Sequence, residues 1–240
     1  VNIQKDQQDL PRIVIFFGAP GSGKGTQTTL ASEVFRLSRV EMSKILETRF
    51  QKALPGDMLR IEGKEYSILE QKKLWQEGSL VADEFVFHLA TKRILELSER
   101  GESIILDGFP RTVAQGDLFL PFLSKTYSKD RITIIFLDIQ EDEAVSRNSK
   151  RRICELARHP ILSNEETKRL TLCPLDGSSL VRRSLDEPDI IRFRIQKFTD
   201  QTLPLVQYFE DHDMIVHTVL ANQSVANVFQ EVSDILKKQD

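Results

Sequence analysis

Short apolar runs recur along the chain between longer stretches of helical periodicity. Arg12-Ile13-Val14-Ile15-Phe16-Phe17, a short run around 37–40, Ser103-Ile104-Ile105-Leu106-Asp107, 131–138 and 214–219 read as strands. Their apolar residues fall on both faces, the pattern of a parallel sheet covered by helices on each side. Helices are expected at 24–36, 43–53, 66–77, 83–99, 112–125, 141–152, 188–209 and 224–237. In the stretch 83–99, Val86, Ala90, Ile94 and Leu97 form one apolar stripe. Strand–helix alternation predicts an α/β fold, a three-layer doubly wound sheet of five parallel strands. A ligand is then expected at the carboxyl ends of the strands.

Two segments fall outside this core. Residues 41–81 read as a helical insert, and 150–187 as turn clusters with little apolar periodicity, too short for a core of their own. The core is expected to comprise 12–40, 82–149 and 188–240, and both inserts are expected to move. Residues 1–11 are polar, without the apolar centre of a signal peptide, and are expected to be a disordered extension.

Composition narrows the function classes. The chain has 240 residues with 33 Lys+Arg against 36 Asp+Glu, a formal charge of −3, which is a poor basis for general nucleic-acid binding. No apolar run approaches membrane-spanning length. Two cysteines, Cys154 and Cys173, suit a reducing cytoplasm rather than a disulfide framework. Without an extended apolar patch in the pattern, a monomer is the expected state.

The chemistry begins directly after the first strand. Gly18-Ala19-Pro20-Gly21-Ser22-Gly23-Lys24-Gly25-Thr26-Gln27 is a phosphate-binding loop of the P-loop NTPase type. Glycines let successive backbone N–H groups turn around an anion, the following helix directs its positive end there, and Lys24 adds a point charge. Gly25 follows the lysine and the hydroxyl comes one residue later, at Thr26, so a magnesium ion must lean more on another carboxylate. Asp107 ends a strand and suits that role through water; Arg111 emerges from the same turn and can grip a phosphate. Two cationic groups, Arg147 to Arg152 and Arg182 to Arg194, would each be an ordinary solvated face alone. Beside a triphosphate loop they suit two facing nucleotides.

At this point the chain resembles the adenylate kinases of the nucleoside monophosphate kinase family. The matching runs are 18–27, Gly78-Ser79-Leu80-Val81-Ala82-Asp83-Glu84, and Leu106-Asp107-Gly108-Phe109-Pro110-Arg111-Thr112 with Gln115. Arg147, Arg151-Arg152, Cys173-Pro174, Gly177, Arg183, Asp186 and Arg194 continue the series, and Phe198, Gln201-Thr202, Pro204-Leu205 and Tyr208 complete it. The resemblance implies in-line transfer in ATP + AMP ⇌ 2 ADP, with lid closure and Mg2+. It assigns ATP to Gly21, Ser22, Gly23, Lys24, Gly25, Thr26, Arg147, Arg151 and Gln223. It assigns AMP to Val81, Gly108, Arg111, Gln115, Arg183 and Arg194. Lys24, Arg111, Arg151, Arg183 and Arg194 would be catalytic, Asp107 would hold magnesium through water, and the Phe109–Pro110 bond would be cis.

The chain departs from the family in two places. Where the family opens its monophosphate pocket with Ser-Thr-Gly-Asp and a later arginine, this chain has Glu41-Met42-Ser43-Lys44 and Glu47. A run like the family's comes later, at Gly56-Asp57-Met58-Leu59-Arg60, as an insertion with a chance likeness or as another route for Arg60 to the phosphate. A monophosphate with another base, or a nucleotide sensor that no longer transfers phosphate, therefore stays open beside adenylate kinase activity. The family's zinc-bearing lids carry cysteine pairs; here Cys154 is paired with Ala157 and Cys173 with Asp176. Zinc with His159 or water as fourth ligand, or two free thiols in a lid held by polar contacts, are the two readings. Trp75, the lone tryptophan, is expected to pack a helix of the first insert rather than contact nucleotide, and His88, His212 and His217 have no assigned role.

Overall fold

The structure, a computed structural model, describes residues 11–156, 159–161, 165–182 and 186–238. Strands β1 (Ile13–Gly18), β2 (Ser38–Glu41), β5 (Ile104–Asp107), β6 (Ile132–Asp138) and β10 (Val216–Leu220) form one sheet in the order β10-β6-β1-β5-β2. Every neighbouring pair is parallel. The first strand alternates between two cores. Ile13, Ile15 and Phe17 face one side; Val14 and Phe16 face the other. Helices α4 (Asp83–Ser98), α5 (Val113–Thr126) and α8 (Leu205–Asp211) cover the first face, with Phe85, Ile94, Phe119 and Phe209 buried there. Helices α1 (Lys24–Val34) and α9 (Val225–Lys237) cover the second through Ala31, Val228, Val232 and Leu236. This is the three-layer, five-stranded α/β fold expected from the pattern.

The insert is not purely helical. Between α2 (Met42–Gln51) and α3 (Ile68–Gln76) the chain forms an antiparallel hairpin of β3 (Met58–Ile61) and β4 (Lys64–Ser67). Its two-residue turn puts Glu62 at φ 48 and Gly63 at φ 86, the handedness that matches hairpin twist. Arg60 lies on this hairpin, mostly exposed and paired with Glu65 at 3.2 Å, and does not line the cleft described below. The Gly56–Arg60 run thus leads into the hairpin and does not bring Arg60 to the cleft. The long helix expected over 188–209 is also broken: α7 (Pro188–Lys197) runs into a π turn at Phe198–Thr202 before α8 begins. Beyond α6 (Glu141–Lys150), three short strands, β7 (Arg152–Cys154), β8 (Pro160–Ile161) and β9 (Leu180–Val181), make a small antiparallel sheet in the order β8-β7-β9.

An aromatic row ties the insert to the core. Phe50 stacks on Phe85 at 6.2 Å, and Tyr66 meets Phe85 edge-on at 6.1 Å. Phe85 is fully buried and touches both helix and hairpin of the insert. Phe85→Ala should destabilise the protein by about 3–5 kcal/mol through the cavity it leaves, read as a shift in the urea midpoint.

Candidate active site

The glycine loop connects β1 to α1. Gly21 has φ +92, and a Cβ there would lie 2.6 Å from the Ala144 carbonyl oxygen and 2.7 Å from Asn148 Nδ2, so only glycine lets the loop pack on α6. Gly23 caps α1 in a left-handed conformation, leaving the first helical N–H groups directed at the cleft. Lys24 folds back over the loop: Nζ donates to the Gly18 carbonyl at 2.5 Å and the Ala19 carbonyl at 3.0 Å. Desolvation lowers its pKa from the ordinary 10.5 to about 8. Asp107 opposes the shift, while Arg111, Arg194 and Arg151 reinforce it. Four residues distant in sequence thus act electrostatically on one ammonium group.

Asp107 stands at the end of β5, beside Phe16 of β1 and Glu41 of β2. Its Oδ2 accepts from the Thr28 hydroxyl at 3.3 Å. The lack of a side chain at Gly25 leaves that carboxylate open to the loop, since even a Cβ there would already be in contact with it. The following turn contains the expected cis Phe109–Pro110 bond. Arg111 is pinned by its surroundings. Its backbone N–H donates to Gln115 Oε1 at 2.7 Å, its Nε to the Gly108 carbonyl at 2.8 Å, and its own carbonyl accepts from the Thr202 hydroxyl at 2.7 Å. Gln115 in turn donates to Asp83 Oδ1 at 2.9 Å, which also accepts from Thr112.

These groups surround a cleft of about 1570 Å³. Pockets for one small ligand run to roughly 300–1,000 Å³, so this volume has room for two nucleotides. Gly21, Ser22, Gly23, Lys24, Gly25 and Thr26 line it, as do Asp107, Gly108 and Arg111. So do Arg147, Arg151, Arg194 and Gln223. Arg147 is held by Glu143 at 2.7 Å and approaches the Gln223 carbonyl at 3.5 Å. Arg151 forms a forked pair with the buried Asp186, Nε to Oδ2 at 3.0 Å, which leaves its remaining terminal nitrogen for a phosphate.

Some assigned residues lie elsewhere. Gln115 is 1% exposed, behind the cleft wall, where it positions Arg111. The Val81 side chain is packed in the core, while the neighbouring Leu80, on the backbone expected to meet the adenine, and Gly78 line the cleft. Arg183 and Ala157 lie outside the described residues. Sequence reasoning gave no site role to Arg39, which lines the cleft with Glu41, Lys44 and Glu47. Arg39 pairs with Glu41, and Lys44 Nζ lies 2.9 Å from the same carboxylate. Trp75 packs on Phe50 as expected but also lines the cleft.

In the small sheet, Cys154, His159, Cys173 and Asp176 bring four donor atoms within 4.8 Å of one another. Cys154 Sγ lies 3.0 Å from Asp176 Oδ2, and His159 Nδ1 lies 3.5 Å and 3.6 Å from the two sulfurs. The Cys154 thiol, followed by the Ser178 N–H and hydroxyl, holds the Asp176 carboxyl far below the usual carboxylate range. Tetrahedral zinc with bonds of ~2.0–2.3 Å needs ligand atoms roughly 3.5 Å apart, so the donor set fits the ion in number, type and spacing.

Comparison with known proteins agrees with this geometry. The family model for adenylate kinase matches residues 16–214. The chain belongs to the adenylate kinase family. It is 34% identical over 232 residues to the adenylate kinase of Chlamydia trachomatis serovar D, covering 94% of this chain and 90% of that one. It is 30% identical to the adenylate kinases of Petrotoga mobilis and Oceanobacillus iheyensis, covering 93% and 94% of this chain and 97% and 99% of theirs.

Two predictions follow from the geometry of this adenylate kinase cleft. Gly108 has φ +82, and a Cβ there would fall 2.7 Å from Arg111 Nη2. Gly108→Ala should displace the guanidinium and raise the KM for the monophosphate about tenfold or more, with the KM for ATP little changed in steady-state assays. The second concerns Lys24. Its lowered pKa means that folding disfavours the charged form, so this group adds stability as pH rises from about 8 to 10.5, where the unfolded chain holds the extra proton. A bound polyphosphate restores the proton. Affinity for a two-headed adenosine dinucleotide, followed by titration calorimetry, should therefore fall toward tenfold per pH unit above about 8, and Lys24→Met should abolish that slope.

Proposed function

We propose that this protein transfers a phosphoryl group directly between ATP and AMP, giving two ADP. The carrying observation is the convergence of Lys24, Arg111, Arg151 and Arg194 on one cleft with room for two nucleotides. ATP takes the loop side. The backbone N–H groups of 21–26 cradle its phosphates at the α1 N-terminus, and its base lies by Arg147 and Gln223. AMP takes the opposite side, with its phosphate on Arg111 and its base toward Gly78 and Leu80. Arg151 and Arg194 bear on the group in flight, and Arg183 joins them on the strength of the resemblance. Transfer of this kind requires positioning and charge stabilisation more than proton chemistry. Mg2+ arriving with the nucleotide would spread the phosphate charge, and Asp107, beside Gly25, would hold it through water. The small sheet with Arg151 at its root acts as a lid that excludes water when both substrates are bound.

The four-residue cluster in that lid would hold zinc: Cys154 and Cys173 would bind as thiolates, His159 through a ring nitrogen and Asp176 through its carboxylate, and the ion would crosslink a sheet with little core of its own. The enzyme is assigned as a cytoplasmic monomer of nucleotide biosynthesis, acting without nucleic acid or membrane. None of the described helices is long and apolar enough to cross a membrane.

A coupled assay with ATP against AMP, GMP, CMP, UMP and dTMP tests the reaction. AMP should be the preferred acceptor, and absence of turnover with every monophosphate would refute the assignment. For the lid, protein purified without chelator should carry about one equivalent of zinc, and Cys173→Ser should lose it together with several degrees of Tm. Metal analysis finding less than a tenth of an equivalent would end that assignment.

A further inference from the structure

Trp75 lies near the end of α3, on the monophosphate side of the cleft. Its indole is half-buried, with Phe50 behind it at 5.8 Å between ring centroids. Phe50 is stacked on Phe85, so the tryptophan is the cleft end of an aromatic row rooted in the core. The same stretch of chain continues through Gly78 and Leu80, which also line the cleft, and a Cβ on Gly78 would be 3.7 Å from the stem of Arg194. The wall thus runs from an indole at one end toward the phosphate-directed arginines at the other.

Polar side chains also line this part of the cleft, Ser43, Glu47 and Gln76 among them. Gln115 is buried and committed to Asp83 and to the Arg111 backbone. Glu41 is held by Arg39 and Lys44. Among the apolar lining residues of this stretch, Trp75 and Leu80, the indole is the aromatic one, and a nucleobase presents a flat π-face of matching character.

We propose that Trp75 is the wall against which the monophosphate's base lies, and that its area favours a purine over a pyrimidine. This deepens the phosphotransfer reading of the site and rests on it. Rigid support from Phe50 means that little ordering cost is incurred when the base arrives. Leucine at 75 would keep the bulk but lose the π-face; phenylalanine would keep part of it.

Trp75 is the chain's single tryptophan, so its emission reports this position directly. Titrating the full-length protein with AMP should change that emission saturably, while ATP should leave it nearly unchanged. Trp75→Leu should raise the KM for AMP about tenfold, leave the KM for ATP within about twofold, and narrow the preference for AMP over CMP. Trp75→Phe should restore most of both. Emission indifferent to AMP, an unchanged KM for AMP in Trp75→Leu, or equal rises for both substrates would each overturn the proposal, the last by marking a merely structural side chain. Failure of the wild-type protein to phosphorylate any monophosphate would instead count against phosphotransfer, and the AMP titration would still report whether a base sits on the indole.

Discussion

The structure depends on holding one ammonium group among like charges. Lys24 sits over its own loop, bonded to two backbone carbonyls, with Asp107 as the nearby carboxylate and three arginines bearing on it. Such an arrangement carries an electrostatic penalty that is relieved when a polyanion enters, because the anion supplies the negative charge that the protein withholds. Arg151 and Arg147 are held by carboxylates other than Asp107, and Arg111 by the Gly108 carbonyl. Asp186 grips Arg151 in a fork, and Glu143 holds Arg147 from one helical turn away. Preorganisation here means that each cation already has a fixed position before substrate arrives.

Parallel pairing makes that arrangement possible. β1 and β5 are neighbours with Phe16 opposite Asp107, so the glycine loop and the Asp107 carboxylate leave the sheet at the same edge. An antiparallel pair would have sent them to opposite ends. Arg111 is then delivered by the turn after β5 and locked by groups from three other elements: Asp83 at the start of α4, Gln115 in α5 and Thr202 in the π turn. The π turn matters for this reason. A continuous helix through 198–202 would rotate Thr202 away from the Arg111 carbonyl, so the local irregularity is linked to the position of Arg111 at the cleft.

Much of this was legible in the sequence because the chemistry is local there. The loop, Asp107 and Arg111 each lie within a few residues of a strand end that periodicity identifies. The hairpin at 58–67 was missed although Glu62-Gly63 is a two-residue turn signal. Its strands are short and largely exposed, with Tyr66 the buried position on β4, so apolar alternation was weak. The role of Trp75 was half legible: helical spacing placed it against the insert, but only the packing of α3 on α2 reveals a second side toward the cleft. Gln115 shows the opposite limit. A motif position says which residue is present, not whether its amide is already committed to Asp83.

The monophosphate arm carries the largest departure, and the charge balance there has a consequence. Arg39 and Lys44 are matched by Glu41 and Glu47 along the same stretch of cleft wall, so this arm contributes no net charge for a phosphate dianion. Opposite charges about 4 Å apart attract with roughly 1 kcal/mol in water and roughly 4 kcal/mol near a protein surface. An incoming phosphate must therefore compete with Glu41 for Arg39 and Lys44. Arg111 faces no such carboxylate partner in its own hydrogen bonds, and its backbone is fixed on both sides. On the proposed reading, the phosphate would then depend on Arg111 and on arginines from the far side of the cleft, and the arm would hold its substrate by the base. A neutral arm can engage AMP without attracting the far more anionic ATP into the wrong half of the cleft, a discrimination that an additional arginine at position 47 would weaken.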